Sequence, residues 1–77
     1  MRLVNQIPHP HLRIVIHEYN GKYWVEFEGG RCKQNFKFDK EQYTLLGIEQ
    51  WIQDEIPFVM DRMNVMHENL RRLTPEL

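Results

Sequence analysis

Asn20-Gly21 stands between two alternating runs, residues 12–19 and 22–28. Both central positions of a type I′ turn need φ > 0, and Asn-Gly accepts that at little cost. A two-residue hairpin closed there allows one register. Tyr19 faces Lys22, His17 faces Trp24, Ile16 faces Val25, Ile14 faces Phe27 and Arg13 faces Glu28. A second two-residue turn is expected at Gly29-Gly30, where glycine again admits positive φ. It sets Glu28 opposite Arg31, Phe27 opposite Cys32, Trp24 opposite Asn35 and Tyr23 opposite Phe36. The two registers agree on one apolar face: Leu12, Ile14, Ile16, Tyr23, Val25, Phe27, Cys32, Phe36 and Phe38, broken only by Glu18 and Gln34. A slip of one residue would invert every side chain, so the agreement defines a three-stranded antiparallel meander over residues 12–38.

What flanks the meander differs on its two sides. Residues 1–11 carry Pro8 and Pro10, which exclude helix and favour an extended arm. After Phe38 the pattern turns helical. Asp39 suits an N-cap with Gln42 three residues on, and Phe38 and Tyr43 occupy the positions of a hydrophobic staple. Gly47 is expected to end or weaken this first segment. Ile52, Ile56, Val59, Met63, Met66, Leu70 and Leu73 then recur at alternating spacings of four and three, a heptad seam. Pro57 lies inside it and predicts a kink or a fresh start. Arg71 and Arg72 suit the negative end of the helix dipole, and Thr74-Pro75 stops the run. The expected fold is therefore α+β. It is a single domain over 1–77, with an arm at 1–11, a meander at 12–38 and a helical segment at 40–73 that covers one sheet face.

A 77-residue chain buries a small core and gains from a partner. Cys32 is the one cysteine, so neither an intrachain disulfide nor a zinc spacing exists. The stretch from Pro57 to Leu73 exceeds what one small sheet should cover. This predicts a homodimer joined through Ile56, Val59, Met63, Met66, Leu70 and Leu73. The start lacks the apolar core of a signal peptide and no run is long enough to span a membrane. The chain therefore reads as soluble and cytoplasmic.

Catalytic chemistry finds little to work with. The sequence contains no serine, and its threonines are Thr44 and Thr74. Cys32 falls on the core face, and Gly29-Gly30 is a hairpin turn rather than a phosphate loop. The expectation is a protein that is not an enzyme and needs no cofactor. His9, His11 and His17 invite a metal reading, but no third ligand can be identified for the His9–His11 side of the arm, so no metal site is expected. His67 reads as surface, and Met60 flanks the seam.

The other sheet face is more suggestive. It carries Arg13, Val15, His17 and Tyr19, then Lys22, Trp24, Glu26 and Glu28, then Arg31, Lys33, Asn35 and Lys37. That is five basic groups against two acidic ones around a central indole. Single-stranded nucleic acid needs a flat ring for base stacking and cations for phosphates. Trp24, Tyr19 and His17 are the stacking candidates; Arg13, Lys22, Arg31, Lys33 and Lys37 are the phosphate candidates. Cross-strand ion pairs such as Arg13–Glu28–Arg31 and Glu26–Lys33 would equally decorate a solvated face. Trp24 is also open to cover by a partner or by the arm. The formal charge of −1 argues against bulk attraction of polyanions. It is unevenly spread, with six basic against three acidic side chains in residues 1–38 and four against eight in 39–77.

Two stretches carry a family resemblance. Residues 18–27, with Asn20-Gly21-Lys22, resemble the first hairpin of the positive-cofactor-4 transcriptional coactivator domain. Residues 36–43 are similar to that domain's last strand running into its helix. The resemblance covers about residues 12–56 and implies a dimer that binds single-stranded DNA on its sheet. The family has four strands, of which three are placed here, and its helix is shorter. Ile7-Pro8-His9-Pro10, Asn20-Gly21-Lys22-Tyr23, Phe27-Glu28 and Gln34-Asn35-Phe36-Lys37 also look like a group of small uncharacterised bacterial proteins, which implies no function. The leading expectation is a binding module for single-stranded nucleic acid. The alternative is a protein–protein or dimerisation module acting through the helical seam.

Overall fold

The computed structural model describes residues 1–73. The chain runs β1 (Arg2–Ile7), β2 (Arg13–Tyr19), β3 (Lys22–Gly29), β4 (Cys32–Asp39) and α1 (Leu45–Leu73). The strands form one antiparallel sheet in the order β1-β2-β3-β4, and α1 packs on one face of it. The fold is α+β as expected, with four strands in place of three.

The additional strand comes from the N-terminal arm. β1 pairs with β2, with Ile7 opposite Ile14 and Leu3 opposite His17. Its register shifts between Leu3 and Asn5. That bulge turns two consecutive residues toward the helix: Val4 packs on the core, and Asn5 Nδ2 donates to Glu49 of α1 at 2.5 Å. An extra residue of this kind breaks the alternation by which a strand is recognised. Pro8 and Pro10 end the strand. The His9 ring caps the turn that follows, its Nδ1 accepting from the backbone N–H groups of His11 and Leu12.

The β2–β3 hairpin has the expected register throughout, and Asn20 and Gly21 both have positive φ. The β3–β4 hairpin does not. Gly29 pairs with Cys32, so the turn is Gly30-Arg31, and Phe27 faces Gln34 rather than Cys32. Gly30 has φ +58°, the requirement of a glycine at the first central position. The displacement is two residues, one full period of the pleat, so no side chain changes face.

The helix begins later than its first signal. Asp39 closes β4 in a turn instead, with its carboxylate accepting from the Glu41 N–H and its carbonyl from Gln42 and Tyr43. Thr44 is the N-cap, its Oγ1 accepting from the Gly47 N–H at 3.0 Å, and Gly47 lies in the first turn rather than at an end. The Phe38 and Tyr43 rings still meet, edge to face, at 5.2 Å. From Leu45 the helix is one element across Pro57. Proline deletes the bond to the carbonyl of Gln53, and both residues are exposed, so water can satisfy that carbonyl.

The core lies between sheet and helix. Ile14, Ile16, Val25, Phe27, Ile52 and Val59 are fully buried there, with Trp51 set edge-on against Phe27, Phe36 and Phe38. α1 follows the strands from Asn5 and Trp51 down to the β3–β4 turn, where His67 Nε2 bonds the Gly29 carbonyl. A 29-residue helix is about 43 Å long against about 27 Å for an eight-residue strand. It therefore continues past the turn, which accounts for the 46 Å long axis. No helix among the described residues is long and apolar enough to cross a membrane.

Candidate nucleic-acid interface

With α1 on one face, the opposite face of the sheet has no covering element among the described residues. Its side chains fall in rows set by the registers. Tyr19, Lys22 and Asp39 form the first row, and Leu3, His17, Trp24 and Lys37 the second. Gln6, Val15, Glu26 and Asn35 form the third, and Arg13, Glu28 and Lys33 the fourth. Arg31 stands beyond them in the turn.

Trp24 is half-buried, and its indole is held at two points. Its Nε1–H donates to the Tyr19 carbonyl at 3.4 Å. The Lys37 ammonium sits over its ring at 4.7 Å from the centroid, within the range of a cation–π contact. The expected neighbour was Asn35; the two-residue displacement of β4 replaces an amide with a cation. Tyr19 is exposed and His17 half-buried, so Tyr19, His17, Trp24, Lys22 and Lys37 gather at one end of the face.

The remaining candidates do not join them. Arg13 is tied to Glu26 at 3.4 Å and to Glu28 at 3.7 Å, and Lys33 stands opposite Glu28. Asp39, facing Lys22 across the strands, adds a third carboxylate to this surface. The positive excess is therefore smaller than the sequence suggested and lies at the Trp24 end. Val15 is fully buried but stands apart from the main core, at the centre of the face between Gln6 and Glu26. Leu3, which extends the Trp24 row onto β1, has no counterpart in a three-stranded reading.

The proposed dimer seam is placed elsewhere. Val59 and Met63 are buried against the chain's own sheet, and Ile56, Met66 and Leu70 pack on the same cluster. The bulged β1 widens the sheet, and its Val4 and Ile7 pack against the same cluster. The Leu73 side chain and the Thr74-Pro75 stop lie outside the described residues. Cys32 is buried, and no group of three His, Cys, Asp or Glu side chains among the described residues could hold a metal.

Compared with protein families, curated proteins and solved structures, the chain shows no match.

Proposed function

We propose that this protein is a small non-enzymatic binding module that takes single-stranded nucleic acid on its uncovered sheet face, acting as a homodimer. The observation that carries the reading is Trp24, with its indole fixed by Tyr19 and overlaid by the Lys37 ammonium, on the face that α1 leaves open. A base stacking on the indole needs the place that the ammonium holds. The flexible lysine stem allows the charge to move aside to the adjoining phosphate, so the two contacts form together. His17 and Tyr19 extend the platform, and Lys22 supplies a second cation. Four strands followed by one helix is also the element order that the positive-cofactor-4 resemblance implies.

The electrostatics limit the affinity. Glu26, Glu28 and Asp39 share the face, so binding is weak, and its salt dependence reflects the few cations that meet phosphates. Fluorescence anisotropy with a labelled single-stranded oligonucleotide at low salt tests the reading. Trp24→Ala should weaken binding by about 1–3 kcal/mol. Absence of binding at tens of micromolar protein, or binding indifferent to Trp24→Ala, refutes it.

A further inference from the structure

We infer that two copies of the chain join through their β4 strands, extending each sheet into one continuous eight-stranded sheet. This rests on the homodimeric reading above and names the surface that makes it.

The two edges of the sheet are unequal. β1 is short, bulged at Val4–Asn5 and followed by Pro8, devices that blunt an edge against pairing. β4 keeps one register over eight residues, with neither bulge nor proline. No element among the described residues pairs with its outer side. In a two-residue hairpin the pair flanking the turn exchanges both backbone bonds. Cys32, Gln34, Phe36 and Phe38 therefore direct their N–H and C=O groups at β3, while Lys33, Asn35, Lys37 and Asp39 direct theirs to the open side.

That alternation restricts how a second β4 can dock. Across a two-fold axis outward-directed residues must meet outward-directed residues, which leaves two registers of nearly full overlap. One is centred on Asn35 and sets Lys33 opposite the partner's Lys37, a repulsive pair made twice. The other is centred on Phe36. It sets Lys33 opposite the partner's Asp39, twice by symmetry, and Lys37 opposite the partner's Asn35. Charge selects the second register. Phe36 then meets the partner's Phe36 at the axis, on the helix side of the sheet.

The helix lies on the same side of the sheet as Phe36. Gln34 and Arg62 are bonded at 2.8 Å, which places that flank of α1 above β4. Gln34, Asp61, Arg62, Val65 and Met66 line a shallow apolar groove there of about 360 Å³. Phe58 and Val65, seven residues apart on one stripe, are 59% and 60% exposed. In the paired arrangement the two helices run antiparallel on the same side of the joined sheet, and the axis at Phe36 lies beside Trp51 of α1, so of these two side chains Phe58 lies the nearer to the partner. The faces carrying Trp24 become one surface of both copies.

Sedimentation or light scattering of the full chain, without nucleic acid, is the test. The wild type should show twice the 9.5 kDa chain mass. Asn35→Pro removes only an outward N–H, so it should yield a folded monomer with unchanged circular dichroism. Lys33→Asp and Asp39→Lys chains should each dissociate alone and pair when mixed. A wild-type monomer at hundreds of micromolar overturns both the homodimer and this interface. A dimer that survives Asn35→Pro and both charge reversals overturns the interface alone.

Discussion

His67 Nε2 lies 3.0 Å from the carbonyl oxygen of Gly29, and the same nitrogen stands 3.0 Å from where a Cβ on Gly30 would be. One imidazole thus seats the late helix on the β3–β4 turn and occupies the space beside the turn glycine. Gly30→Ala meets two obstacles: a positive φ that disfavours an L side chain by about 1–2 kcal/mol, and the ring itself. The variant should lose at least that much stability in urea unfolding. Adding His67→Ala should relieve the steric part only, leaving a measurable coupling between the two sites. Strict additivity of the two losses would contradict the contact.

The core makes a graded prediction. A chain of this length has about 4–12 kcal/mol of stability at 0.05–0.15 kcal/mol per residue. Phe27 is fully buried and meets the Phe36 and Trp51 rings, so Phe27→Ala should cost about 3–5 kcal/mol and leave much of the protein unfolded at 37 °C. Ile52→Val, at an equally buried site, should cost only about 0.5–1.5 kcal/mol. Thermal melts order the two. Equal melting temperatures would mean that the helix does not pack where it is described.

Pro57 is exposed within a continuous helix. Proline in a helix interior is about 3 kcal/mol less favourable than alanine. Pro57→Ala restores an N–H for the Gln53 carbonyl, so it should raise the urea midpoint, by up to that amount of stability. A lower midpoint would show that the proline sets a bend on which the Ile52–Val59 packing depends.

Much of this was legible because the pleat has a period of two. Phe27 faces Gln34 instead of Cys32, yet it is buried all the same, since a two-residue displacement preserves the faces. The sequence could not choose between Gly29-Gly30 and Gly30-Arg31, because both offer glycine at the first central position. Packing decides: a Cβ on Gly29 would come within 3.0 Å of Leu12 Cδ2, so Gly29 belongs to the strand as a point of close approach. β1 was hidden by its bulge, which sets Val4 and Asn5 on the same side. Asp39 and Thr44 are both good caps, and only the turn built by the Asp39 carbonyl shows that the helix starts at the second. At the candidate site the residue types were readable but their grouping was not. Lys37 replaced Asn35 beside Trp24 for the same two-residue reason.

That regrouping gives the last prediction. Lys33 and Lys37 are both exposed lysines of β4 and are indistinguishable in the sequence. Lys33 faces Glu28, whereas Lys37 stands over the Trp24 ring. A cation already beside a carboxylate adds little net field for a phosphate. One poised at the stacking ring contributes its charge where the strand must pass. In anisotropy titrations, Lys37→Ala should weaken oligonucleotide binding and reduce the magnitude of the salt slope by about one unit. Lys33→Ala should change both less, and Glu28→Gln should strengthen binding by removing a negative charge that lies beside Arg13 and opposite Lys33. Equal losses from the two lysine variants would mean that the polyanion tracks the whole face and does not centre on Trp24.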